Sequence, residues 1–123
     1  MGHGEGFATL VEGLRKSVKE CSVDQIMDKF NAHEKFFFVD VREDSEWNID
    51  HLKGAIHLGK GIIERDIEST IPDKNSDIVL YCGGGFRSVI AATNLLKMGY
   101  TNVSSMKGGY KEWKKKSFPI QNN

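Results

Sequence analysis

Cys82 is followed by Gly83, Gly84, Gly85, Phe86, Arg87 and Ser88, in the stretch IVLYCGGGFRS. A sulfur at the end of an apolar run, trailed by residues with little side chain, has the makings of a nucleophile. Glycines allow positive φ and the close approach of backbone to a bound group. A strand, a glycine-rich loop and a helix in succession bring loop N–H groups and a helix N-terminus around one point, which suits an anion. Such settings lower a cysteine pKa from about 8.5 to roughly 3.5–7.5. Arg87 adds a permanent cation whose planar fork fits a tetrahedral oxyanion. The expected site is Cys82 as nucleophile, a cradle from the backbone of Gly83 to Ser88, and the Arg87 guanidinium. Phe86, inside the loop, is placed to shield the sulfur from water. A small buried cysteine after a strand is the plain alternative, and the run GGGFRS argues against it.

Elements that could position this loop lie on both sides of it. SDIVLYC (76–82) reads as a strand buried on both faces, and RSVIAATNLLKMG (87–99) as a helix closed by a glycine suited to its end. KFFFVDV (35–41) is a second buried strand. TNVSSM (101–106) is a third, and GGYKEWKKK opens a last helix before Pro119. Upstream, FATLVEGLRKSVKE (7–20) carries Leu10, Val11, Leu14 and Val18 at helical spacing. Ser22 can cap a second helix, VDQIMDKF. Between 42 and 68 the pattern is mixed: a short helix near Asp44 to Asn48, a turn at Gly54, and a short strand around 55–58. Strands alternating with helices predict an α/β domain with a mainly parallel sheet.

Composition limits the function. The 123 residues suffice for one domain with its own core. Acidic and basic residues balance at 17 each, which speaks against a nucleic-acid partner. The basic cluster KEWKKK (111–116) reads as a solvated helix face. No apolar run approaches the roughly 18 residues of a membrane span, and MGHGEGFATL lacks the charged-then-apolar order of a secretory signal. Two distant cysteines without a CxxC pair argue against disulfides or zinc, so a cytoplasmic location is expected.

From Ser22 to Ile120 the chain resembles the rhodanese family of sulfurtransferases. VDVRE (39–43) resembles the family's first core strand with its Asp-x-Arg. EWNIDHLKGAIHL (46–58) is similar to its Glu-x-x-x-Gly-His-Ile-x-Gly-Ala box, with Asp50 in place of the usual glycine. YCGGGFRS resembles the Cys-x-x-Gly-x-Arg-Ser loop, and MKGGYKEW (106–113) the closing Gly-Gly-x-x-x-Trp segment. The resemblance implies a rhodanese-like α/β fold: a twisted, mainly parallel five-stranded sheet with helices on both faces, over 22–120. Residues 1–6 are then a flexible tail or cloning remnant, 7–21 a helix and lead-in, and 121–123 a tail.

It also implies chemistry. Cys82 takes the outer sulfur of a small anionic donor such as thiosulfate, and a small thiol, cyanide or a protein acceptor removes it. No metal and no cofactor is implied. Asp40 and Arg42 become a structural pair, with Glu46 the expected partner of Arg42. Rival readings are a rhodanese-like module that binds, senses or carries sulfur between proteins, and a cysteine phosphatase or arsenate reductase. Phosphatases read Cys-x5-Arg, usually after a histidine. Here four residues separate Cys82 from Arg87 and Tyr81 precedes the cysteine, which favours sulfur. His51 reads as a packed turn histidine rather than a base. Lys60 reads as an entrance cation or a plain surface lysine, and Trp47 and Trp113 as packing residues. Cys21 reads as inert, with a sulfur relay as the alternative.

Overall fold

The computed structural model describes residues 3–122. The elements in order are α1 (Glu5–Arg15), β1 (Lys19–Cys21), α2 (Val23–Asn31), β2 (Phe37–Asp40), α3 (Asp44–Trp47), β3 (Asp50–Leu52), β4 (Ile56–His57), α4 (Ile63–Thr70), β5 (Ile78–Tyr81), α5 (Arg87–Lys97), β6 (Val103–Met106), α6 (Gly109–Lys115) and β7 (Ile120–Asn122). Five strands form one sheet in the order β1-β6-β5-β2-β4, every pair parallel. β3 and β7 make a separate antiparallel pair.

Alternation along β5 explains the layering. Ile78 and Leu80, with Cys82 beyond them, enter a core shared with Val11 of α1, Ile63 and Ile67 of α4, and Val89, Ala92 and Leu95 of α5. Val79 and Tyr81 point the other way, to Val23 and Ile26 of α2 and Trp113 of α6. The sheet is thus covered on both faces, as its continuous apolar strands require. Each fully buried Leu, Ile or Val contributes about 1.5–3 kcal/mol against leaving it exposed. Ser22 caps α2 as expected: its side chain accepts from the Gln25 N–H at 3.1 Å, and the Gln25 side chain accepts from the Ser22 N–H at 2.8 Å. The turn at Gly54 and the glycine after α5 both hold positive φ, +89° at Gly54 and +101° at Gly99.

Four features depart from the expectations. α1 begins at Glu5, inside the stretch read as a tail, while residues 1, 2 and 123 lie outside the described residues. It ends at Arg15, and the edge strand β1 follows. Val18 keeps helical spacing with Leu14 because a turn returns it to the same core. The mixed stretch contains α4, whose Ile63 and Ile67 sit one turn apart and are fully buried. Finally, Gln121 belongs to β7, paired with His51 of β3, rather than to a free tail.

Candidate active site

Cys82 is the first residue beyond β5, at the carboxyl end of the parallel sheet, where open α/β folds place their sites. The next strand over, β2, ends level with it, with Asp40 in register with Tyr81. The loop then enters α5 at Arg87. The Gly85 N–H donates to Cys82 Sγ at 3.1 Å, and Ser88 Oγ lies 3.6 Å from the sulfur. Ser88 is held by Ser105 Oγ of β6 at 2.7 Å. Among the described residues, Gly85 supplies the one main-chain N–H on Sγ, so the cradle in this state is narrower than the full span from Gly83 to Ser88.

The three glycines are not equivalent. Gly85 has φ +91°, and a Cβ there would meet the Gly108 nitrogen at 3.1 Å. A Cβ on Gly83 would lie 3.1 Å from Arg87 Nη2, so the guanidinium lies close over the start of the loop. Gly84 faces open space.

Gly108 and Gly109, the cap and first residue of α6, clamp the loop from outside. A Cβ on Gly109 would fall 2.3 Å from the Cys82 carbonyl oxygen, a distance no side chain tolerates. That approach lets the Tyr110 N–H donate to Cys82 O at 2.8 Å and the Lys111 N–H to Gly83 O at 3.0 Å. Sequence reasoning gave these residues no site role. The signal was present: GGY between a strand and a helix repeats the logic of the cysteine loop.

Asp40 and Arg42 form the expected pair. Asp40 is fully buried; its carboxylate accepts from Arg42 Nε at 3.0 and 3.1 Å and from Nη2 at 2.8 Å. Burial works against the Arg42 charge, but the bonds and charge of Asp40 outweigh it, and its pKa moves up. Tyr81 donates to Asp40 Oδ2 at 2.7 Å and accepts from the Leu52 N–H at 3.1 Å; burial and that neighbouring carboxylate push its phenol up. Arg42 also donates to Asp50 O at 2.7 Å and lies over the Tyr110 ring at 4.4 Å. The pair therefore braces the clamp that holds the loop.

Glu46 corrects an expectation. It pairs with Arg87, not with Arg42: Arg87 Nη1 and Nη2 donate to its two oxygens at 2.8 and 3.3 Å. The Glu43 N–H adds a bond to Glu46 Oε1 at 2.9 Å, fixing the carboxylate from its own helix. The Arg87 bond holds the Glu46 carboxyl below its usual range, and the same bond moves Arg87 up.

These groups open into a cavity of about 560 Å³, lined by Cys82, Gly83, Gly84, Phe86, Arg87 and Glu46 on the loop side and by Lys111. His3, Gly4 and Phe7 complete its wall. Lys60 and Cys21 do not line it. Cys21 sits at the end of β1, with burial pushing its thiol up to about 11. His51 is packed flat on Trp47, with ring centroids 3.6 Å apart. Asp50 stands in β3 without positive φ, so no glycine is needed there.

A parallel α/β domain with a cysteine loop at the end of its central strand and an Asp-x-Arg brace beside it has the build of a rhodanese. The chain belongs to the rhodanese-like domain family, whose model matches residues 22–116. It is 30% identical over 102 residues to "Putative sulfurtransferase YtwF" of Bacillus subtilis, covering 83% of this chain and 96% of that one. It is 35% identical over 75 residues to "Thiosulfate sulfurtransferase PspE" of Escherichia coli, covering 61% and 71%. It also matches "Putative sulfur carrier protein YrkF" of Bacillus subtilis, at 29% identity over 97 residues and 79% of this chain, and spans about half of that protein's length (51%). Among solved structures, protein RPA3614 of Rhodopseudomonas palustris, described as a possible tyrosine phosphatase, superposes with TM-score 0.84 at 21% identity over 98% of both chains. At that identity the likeness concerns the fold. Among the described residues, no helix is long and apolar enough to cross a membrane.

Proposed function

We propose that this sulfurtransferase-family chain moves the outer sulfur of thiosulfate, or a related anionic donor, through a persulfide on Cys82. The observation that carries the reading is the Gly85 N–H on Cys82 Sγ at the floor of an open cavity, with a guanidinium over the loop. The Cys82 thiolate attacks the outer sulfur; the donor's S–S bond breaks and sulfite leaves with the bonding pair. Sulfite is a stable anion, so departure needs no proton donor. A cyanide ion or thiolate then attacks the outer sulfur of the persulfide, and the Sγ–S pair returns to Cys82. Lys111 and Arg87 draw the anions in, while Glu46 fixes the Arg87 fork and tempers its charge.

Intact mass after incubation with thiosulfate tests this. A gain of one sulfur, absent in Cys82→Ser and removed by cyanide as thiocyanate, is expected. A loaded chain that yields its sulfur to neither cyanide nor small thiols is a carrier, which overturns the enzymatic reading. No gain at all overturns both.

A further inference from the structure

Part of the cavity wall is built from residues that precede the family match at 22–116. His3 and Phe7 pack on Phe86 of the loop: the His3 and Phe86 centroids are 4.3 Å apart, His3 and Phe7 5.0 Å, and Phe7 and Phe86 6.0 Å at 23°. The Arg15 guanidinium stands 5.4 Å from the Phe86 ring centroid. The wall is anchored, since Val11 of α1 is fully buried and α1 packs along α5. Lys111 also lines the cavity, is exposed, and makes no ion pair among the described residues. Glu46, the cavity's carboxylate, is already taken by Arg87.

Size and polarity disagree with an inorganic partner alone. Thiosulfate is comparable to four or five waters, roughly 150 Å³ at ~30 Å³ each, against a cavity of about 560 Å³. A cavity lined by three aromatic rings and by an exposed cation without an ion-pair partner among the described residues has the features of a site for a small organic ligand. We infer that His3 and Phe7 are specificity-determining residues, selecting an acceptor thiol with a flat apolar body and a carboxylate directed to Lys111. The body packs against the His3, Phe7 and Phe86 rings while its thiolate reaches the persulfide. There it attacks the outer sulfur, the Sγ–S bond breaks toward Cys82, and the acceptor leaves as an organic persulfide anion. The inference rests on the sulfur-transfer reading of the same site.

The test compares 4-mercaptobenzoate with cyanide as acceptors, thiosulfate being the donor, in the full chain. The ratio of kcat/KM for the aromatic thiol over cyanide should fall about fivefold in His3→Ala and in Phe7→Ala. In Lys111→Met it should fall for 4-mercaptobenzoate and not for 4-mercaptobenzamide. Leu10→Ala, on the exposed side of the same helix, should leave the ratio alone. Binding of 4-(methylthio)benzoate, which has no thiol to accept sulfur, supplies a readout independent of catalysis; it should weaken in His3→Ala and Phe7→Ala with melting temperatures preserved in His3→Ala. Equal ratios and equal affinities across these variants overturn the inference. Should Cys82 take up no sulfur, the transfer reading fails, and the affinities alone decide whether the wall recognises such a ligand.

Discussion

Gly85→Ala is the substitution that most directly engages the loop. Its backbone sits at φ +91°, which costs a residue with a Cβ about 1–3 kcal/mol. The new methyl would also press on the Gly108 nitrogen at 3.1 Å, with Lys107 Cα and Met106 O each at 3.5 Å, all backbone. Together these destabilise the fold by about 2–4 kcal/mol, lowering Tm by about 8–15 °C for a domain of this size. Relief comes by rotating the peptide, which turns the Gly85 N–H off Cys82 Sγ. A hydrogen bond to a charged group contributes about 1.5–3 kcal/mol, so sulfur loading from thiosulfate should slow about ten- to a hundredfold. Gly84→Ala is the control, because its Cβ meets nothing within 4 Å. Thermal unfolding and single-turnover loading, followed by mass, read both quantities. If Gly85→Ala melts and loads like Gly84→Ala, the proposed geometry of the cradle is wrong.

Three more expectations concern the surroundings. Glu46 is held below its ordinary 4.5 by Arg87, so its pairing is present above that value and is lost as pH falls through the lower folded value. Wild-type stability should drop across the range below pH 4.5 by a small increment that Glu46→Gln lacks; parallel acid limbs would refute this. Tyr81→Phe removes the donor to Asp40 and the acceptor for the Leu52 N–H, and should cost about 2–4 kcal/mol in urea unfolding; a loss under about 0.5 kcal/mol would show the network to be dispensable. In Cys82→Ser, iodoacetamide near neutral pH should leave the folded chain unlabelled and add one label after denaturation, because burial keeps Cys21 as a neutral thiol. Fast labelling of the folded variant would restore the relay role.

What was legible in the sequence was local. The cysteine loop, the cap at Ser22 and the glycine closing α5 each fit within a few consecutive residues, and their conformations follow from those residues. What depended on distant partners was not. β1, β3 and β7 have three residues each, too few to show a period, and exist because β6 and each other supply their bonds. Glu46 lies four positions after Arg42, an attractive spacing for a pair. Asp40, only two residues before Arg42, takes that guanidinium instead, and folding brings Glu46 to Arg87. His3 and Phe7 carry no motif; their place in the cavity follows from the face of the sheet on which α1 packs.

The same geometry bears on sulfur against phosphoryl transfer, a choice raised by the spacing of the cysteine loop. A phosphoryl group presents three equatorial oxygens, and its cradle needs several converging N–H donors and a guanidinium free to bridge two of those oxygens. Here one N–H reaches the sulfur, four residues separate Cys82 from Arg87, and both Nη atoms of Arg87 already hold Glu46. Protonation of a departing alkoxide would need an acid in the cavity. Among the described residues, the carboxylate lining it, Glu46, is held below its usual range by Arg87 and donates poorly, so the task would fall to His3. Sulfite needs no such proton, and a single sulfur added to Cys82 Sγ needs only a small cradle. Under the proposed sulfur transfer the loop takes a one-atom cargo, and the larger space above it admits the molecules that bring and remove that atom.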